Sequence, residues 1–279
     1  MEIFEHEIPS GSKLYFKKTA KFKRDFENFA AFCMHENGFD EILTPYFSYH
    51  QDGLKDEFLN FSDEKNNNLT LRGDSTIDVV RIIKRRLKDD KQKRWFYMQP
   101  VFRYPSEEIY QIGAEMINET DLKICVDITN KIFEKFEINP ILQISNIEIP
   151  KIVCKILSLD MEIFEKSKVF EILNSNEKWF YKLERISKVE QIDEILKIAP
   201  SELLNPLLDL KNLAKNFKNV VIAPLYYSKM KYYDKLFFRF LNENQVLASG
   251  GNYEIDGQNC SGFAIFTDEI IKEKSRRNL

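Results

Sequence analysis

Apolar residues recur at helical spacing at Phe22, Phe26, Phe29, Ala30 and Cys33, and Gly38 follows as a stop, which predicts an amphipathic helix over about 19–36. Phe39–Thr44 then reads as a short extended segment, closed by Pro45, which cannot donate a backbone bond. Ile77, Val80, Ile83 and Leu87 form a second helical stripe over about 76–88, and Ser75-Thr76-Ile77-Asp78 resembles a capping box at its start. Residues 95–104 and 109–117 predict two aromatic and aliphatic strands joined by a turn around Pro105-Ser106-Glu107-Glu108. A helix over about 121–136 and a strand at 141–144 follow. The stretch 148–217 is helical in pattern, punctuated by Asn174-Ser175-Asn176, Pro200 and Pro206. Strands return near 219–223, 235–241 and 245–250, with a hairpin at Asn242-Glu243-Asn244; a strand at 261–266 and a helix from Thr267 close the chain.

This order predicts an α+β fold. A mixed, mostly antiparallel sheet flanked by helices would occupy residues 1–147 and 218–279, with 148–217 inserted as a helical segment rather than an independent domain.

Composition narrows the class. At 279 residues with 43% hydrophobic and 13% aromatic content, the chain can bury a sizeable core. A net charge of −3 gives no global field toward nucleic acid. The chain lacks an apolar run long enough to span a bilayer, and Met1–His6 lacks the regions of a signal peptide, so a cytoplasmic location and no membrane partner are expected. Cys33, Cys125 and Cys154 lie in apolar surroundings and read as reduced structural cysteines; Cys260 lies in a polar stretch that leaves its role open. His6, His35 and His50 have no ligand-like spacing, so no metal is expected, and nothing calls for a cofactor. The basic run at Lys84–Lys88 with Lys91, Lys93 and Arg94 reads as a solvated helix end, since Asp89 and Asp90 interrupt it and cations suit a helix C-terminus.

Two local patterns could make a site. On a strand, Gln111, Gly113 and Glu115 share one face, with Gln111 and Glu115 about 13 Å apart and a bare glycine between them. That is a floor for an amino acid; the alternative is a half-exposed sheet whose polar face meets water. Asp74 could cap the helix that follows it or could hold a ligand ammonium by a charge-assisted bond, with Thr76 beside it.

The sequence Leu71-Arg72-Gly73-Asp74-Ser75-Thr76, then Phe102-Arg103, Gln111-Ile112-Gly113-Ala114-Glu115, Ser249-Gly250-Gly251-Asn252-Tyr253 and Gly262-Phe263-Ala264 resembles, in order and spacing, the core of histidyl-tRNA synthetases, a class II synthetase family. The resemblance implies that the helix at 19–36 and the segment to Pro45 build a dimer interface. It also implies that Asp74 and Thr76 hold a substrate amino group, Gln111 lies near the amino acid backbone, and Glu115 meets an imidazole. Ser228-Lys229-Met230-Lys231-Tyr232-Tyr233 corresponds to the family's Arg-Gly-Leu-Asp-Tyr-Tyr: Tyr232 and Tyr233 remain, and the arginine is Ser228.

The departures bear on chemistry. Phe102-Arg103 runs into a short acidic turn, Tyr104-Pro105-Ser106-Glu107-Glu108, and Glu269 stands where the family's last motif carries an arginine. Acid in place of that arginine exchanges a charged hydrogen bond worth about 1.5–3 kcal/mol for repulsion against ATP phosphates. Arg276 lies about 10 Å further along the helix, and no anticodon-binding domain is expected after residue 272. Among relatives of these synthetases, this combination resembles the regulatory subunits of ATP phosphoribosyltransferase. That resemblance implies no catalysis, a homodimer, a mixed octamer with the short catalytic subunit, and histidine as an effector. Histidine would sit on Asp74, Thr76, Arg103, Gln111, Glu115, Tyr232 and Tyr233, with Arg103 turned to the carboxylate that Ser228 cannot serve. Two other readings remain: a stand-alone paralogue that activates an amino acid or modifies another acceptor, and an RNA-binding relic that uses the 84–94 segment.

Overall fold

The structure, a computed structural model, describes residues 7–49, 57–88, 91–166, 177–228 and 230–276. The chain forms two compact units, residues 1–117 with 264–279, and residues 118–263. These boundaries do not coincide with the 147/148 and 217/218 divisions expected from the sequence.

In the first unit, helix α1 (Lys17–Glu36) buries Phe26, Ala30, Cys33 and Met34 along one stripe and ends in bonds from Gly38 N–H to His35 O and from Phe39 N–H to Met34 O. Only Asp40–Glu41 of the extended segment forms a strand, β1, before the chain leaves toward Pro45. Strands β2 (Phe47–Ser48), β3 (Asn60–Ser62) and β4 (Asn68–Leu71) make a small sheet in the order β2-β4-β3. Helix α2 (Thr76–Ile82) then widens into a π-helical turn at Ile83–Leu87, where Lys88 N–H reaches back to Ile83 O, so the expected α-helix over 76–88 is not uniform. The hairpin of β5 (Arg94–Arg103) and β6 (Glu107–Ile117) is paired from Arg94↔Met116 to Arg103↔Glu107, and β1 joins β5 in parallel.

In the second unit, Asp121 caps helix α3 (Leu122–Lys135) by accepting from Lys123 N–H. Strand β7 (Ile141–Asn146) follows, and the described residues from there to Phe217 form helices and turns: α4 (Glu148–Leu157), α5 (Glu162–Glu165), α6 (Lys178–Leu183), α7 (Ile192–Ile195) and α8 (Ser201–Ala214). Asn174-Ser175-Asn176 lies outside the described residues. Pro200 precedes α8 as expected, whereas Pro206 lies inside it and does not break it. So near the helix start a proline removes little of the hydrogen-bond ladder, and buried Pro206 instead offers its carbonyl to Asn146 Nδ2 at 3.4 Å.

Strands β8 (Val220–Ile222), β9 (Tyr233–Asn242), β10 (Gln245–Ile255) and β11 (Gln258–Phe266) complete the order β11-β10-β9-β7-β8, parallel only between β7 and β8. The β9–β10 loop is Glu243-Asn244 alone. Strand β10 runs past 250 to Ile255 because Asp256-Gly257, at φ 50° and 76°, makes a two-residue turn of the kind that matches strand twist. Cys260, left open by sequence, is buried in β11; all four cysteines are buried and reduced. The chain re-enters the first unit at Ala264, and α9 (Thr267–Arg276) closes it. Among the described residues, no helix is long and apolar enough to cross a membrane.

Candidate ligand-binding site

The first unit brings Thr76 and Glu115 to one hydroxyl group, with the charge of Asp74 acting on it. Tyr97 is paired with Gly113 across the hairpin, so both side-chain positions face the same way, along with Gln111 and Glu115. Tyr97 lies directly on the glycine: a Cβ at Gly113 would stand 2.2 Å from the Tyr97 ring. The floor between Gln111 and Glu115 is therefore not bare. It is roofed by a tyrosine that only the glycine admits.

The Tyr97 hydroxyl donates to Glu115 Oε1 at 3.2 Å, and the Thr76 hydroxyl bonds the Tyr97 oxygen. Tyr97 and Glu115 are fully buried. Burial above all, then the negative charges of Glu115 and Asp74, push the Tyr97 pKa up, so it stays protonated. At the Glu115 end this strand face does not meet water, whereas Gln111 at the other end is half-buried.

Asp74 serves as the helix cap as well. Its Oδ1 accepts from Ile77 N–H at 3.3 Å, while Ser75, in α conformation, makes no side-chain cap bond and receives Gln99 Nε2 instead at 3.2 Å. The expected capping box at Ser75 is thus absent, because its hydroxyl is committed elsewhere. Asp74 and Thr76 stay half-buried, at the edge rather than in the core.

The turn that carries them is held by Arg72, the largest fully buried side chain. Its guanidinium donates to Pro100 O (3.0 and 2.6 Å), Thr44 O (2.9 Å), Thr44 Oγ1 (3.1 Å) and Pro45 O (3.1 Å), and lies over the Tyr46 ring at 4.9 Å. Gln99 adds a second tie, bonding Thr44 and Ser75.

Arg103 and Gln111 are less committed. Arg103 Nη1 is buried without a hydrogen-bond partner, its Nε is 3.9 Å from Glu57 Oε2, and its Cζ is 5.5 Å from the Phe58 ring. A Cβ at Gly73 would stand 3.2 Å from that Nη1, so the orphan donor faces the same turn as Asp74 and Thr76. The side chain of half-buried Gln111 makes no hydrogen bond among the described residues. A buried acceptor pair, an orphan guanidinium donor and an open amide suit a zwitterion.

The remaining predicted residues, Tyr232 and Tyr233, belong to the second unit, where they pack together (centroids 4.6 Å) and against Tyr253. Ser228 is buried and occupied internally. Its Oγ accepts from Met230 N–H at 3.1 Å, and it is bonded to Tyr226.

At the other departures from the synthetase pattern, Glu269 sits in the first turn of α9 and pairs with Lys272. Its neighbour Asp268 accepts from Tyr15 O–H and from Tyr110 N–H (2.9 Å); burial raises its pKa. The acidic turn is tied to the N-terminal segment by Ser106 O–H to Ser10 O and by Lys13 N–H to Glu108 Oε2 at 3.3 Å. Tyr97, Arg72 and Gln99 had no role in the sequence pattern; the signal for Tyr97 was its place opposite Gly113, visible only once the hairpin register is known.

Comparison with known proteins shows the family and the fold. The Histidyl-tRNA synthetase family model matches residues 16–270. An ATP phosphoribosyltransferase regulatory subunit from Wolinella succinogenes is 43% identical over 99% of this chain and 98% of its own length. One from Helicobacter hepaticus is 37% identical over 97% of this chain and 98% of its own length. Among solved structures, an ATP phosphoribosyltransferase regulatory subunit/histidyl-tRNA synthetase from Bacillus halodurans C matches with TM-score 0.83 at 18% identity, over 97% of this chain and 84% of that one.

Proposed function

The chain belongs to the ATP phosphoribosyltransferase regulatory subunits of the histidyl-tRNA synthetase family, and from that premise we propose that it activates and regulates a catalytic partner in histidine biosynthesis without chemistry of its own. The observation that carries this reading is the full-length match at 43% identity. The acids at the two nucleotide-binding motifs support it. Activation of an amino acid on ATP gathers negative charge that fixed cations must neutralise. Here the second motif turns through Glu107 and Glu108, and the third offers Asp268 and Glu269. The test is reconstitution: added to a short-form ATP phosphoribosyltransferase catalytic subunit, this chain should raise phosphoribosyl transfer and confer inhibition by histidine. Alone, it should give no histidine-dependent ATP–pyrophosphate exchange above buffer. Robust exchange would revive the stand-alone enzyme reading.

The sensing site of this proposal uses Asp74 and Thr76 for the ammonium group, Arg103 for the carboxylate, and Gln111 and Glu115 for the rest of histidine. Regulation then requires that histidine bind one state of the assembly better than another.

Self-association completes the proposal. Leu43 (73% exposed), Tyr46, Phe47, Tyr49 and Phe61 leave an apolar surface around β2, β3 and the segment after β1, with Phe47 and Phe61 edge to face at 5.5 Å. That surface adjoins the segment to which the family resemblance gives the dimer contact, and a cluster of exposed aromatic side chains favours burial against a partner. Light scattering at micromolar concentration should return a homodimer, and Phe47→Asp should shift it toward monomer; a wild-type monomer would contradict the proposal.

A further inference from the structure

Arg239 carries a charge that no carboxylate balances among the described residues of the second unit. It lies on β9 between Gln143 of β7 and Ser249 of β10, which the register places on the same face. The opposite face, with Phe238 and Phe240, is core, and Phe240 meets Phe133 of α3 edge to face at 5.2 Å. Arg239 Nε donates to Gln143 Oε1 at 3.0 Å, and its Nη2 donates to the same oxygen. Its Cζ stands 3.9 Å from the centre of the Tyr226 ring, which is itself stacked on Phe237 (5.4 Å, 13°).

All these partners are neutral. No carboxylate pairs with Arg239 among the described residues, and burial pulls its pKa down, with Tyr226 the one titratable group that counters this. A guanidinium has five N–H donors. Gln143 takes two; of the three left without a partner among the described residues, two line the edge formed by the two terminal nitrogens. That edge matches a carboxylate in bidentate fashion, and the stacking on Tyr226 fixes its plane in advance. The hydroxyl of Ser249 is the next side chain in the same row.

Tyr226 also connects Arg239 to Ser228, since it bonds Ser228 on one side and carries the guanidinium on its face. Position 228 is where the synthetase pattern has its arginine. We propose that Arg239 is a carboxylate receptor of the second unit, supplying the cation that Ser228 lacks, and that it takes a small monocarboxylate of the free amino acid class. The proposal rests on the second unit alone, independently of the site at Asp74 and Glu115.

The test follows the side-chain Nε–H signal of Arg239 in protein labelled with [15N]arginine, assigned by its absence in Arg239→Gln, or in Arg239→Lys if the first variant does not fold. Sodium acetate, L-histidine, L-histidinol (which has an alcohol in place of the carboxylate) and sodium chloride are titrated separately. Acetate should move the signal saturably, histidinol and chloride should leave it in place, and Tyr226→Leu should weaken the acetate response. L-Histidine should act like acetate; if it does not while acetate does, the free amino acid class is overturned, and the site at Asp74 and Glu115 is untouched by that result. A signal that acetate leaves unmoved, or that histidinol or chloride moves equally, overturns the proposal.

Discussion

Replacing Arg72 with methionine is expected to cost about 3–5 kcal/mol of folding stability, a large share of what holds a domain of this kind together. Methionine fills part of the volume but donates nothing. Thr44 O would lose a charged donor in the interior and half-buried Pro100 O would lose two, while the exposed Pro45 can turn its carbonyl to water. Leaving one buried acceptor unsatisfied costs about 1–3 kcal/mol, so Thr44 O and Pro100 O together reach the upper range of single-substitution effects. Arg72→Lys should recover only part, because an ammonium is a point charge and cannot serve carbonyls on two sides as the planar fork does. Urea unfolding of the three proteins measures this. A loss under about 1 kcal/mol for the methionine variant would mean that the carbonyls find water and that Arg72 is not the clamp described.

The second large effect concerns affinity. Glu115→Ala should weaken L-histidine binding by about 1.5–3 kcal/mol, the worth of a charged hydrogen bond, which is roughly ten- to a hundredfold in Kd. Calorimetry on wild type and variant gives the comparison, with Tyr97→Phe as a second variant that removes the hydroxyl and leaves the carboxylate. If the alanine variant binds as wild type does, Glu115 is a structural partner of Tyr97 and no part of a ligand site. If wild type takes up no histidine at millimolar concentration, the pocket is vestigial, and the chain would act on its partner through assembly alone.

How much of this was legible in the residues depends on what each feature needs. Helix α1, helix α3 and the β5/β6 hairpin were readable because their apolar periodicity is long and local. The π-helical turn at 83–87 was not, because its apolar stripe fits an ordinary helix equally well. In the site, Asp74, Thr76, Gln111 and Glu115 could be named from a motif, and the structure bonds two of them, Thr76 and Glu115, to one hydroxyl. Tyr97 escaped because its role depends on cross-strand register. Arg72 escaped for a different reason: an arginine in a loop motif reads as solvent-facing, and only the chain's return at 44–45 and 100 buries it. Arg239 lay within an aromatic strand whose alternation marked one face as core and said nothing of what the other face meets.

The bonds around Tyr97 run in one direction. Thr76 gives its proton to Tyr97, and Tyr97 gives its own to Glu115. Each hydroxyl has a single proton, so once this relay is set, Thr76 has only lone pairs left to offer, and Asp74 and Glu115, as carboxylates, can only accept. The site is thus polarised toward acceptors at both of its ends. A molecule that settles there must bring N–H groups at two separated points, as an ammonium and a ring nitrogen would. A ligand with acceptors at those points meets lone pairs facing lone pairs, and is turned away by polarity before shape is tested.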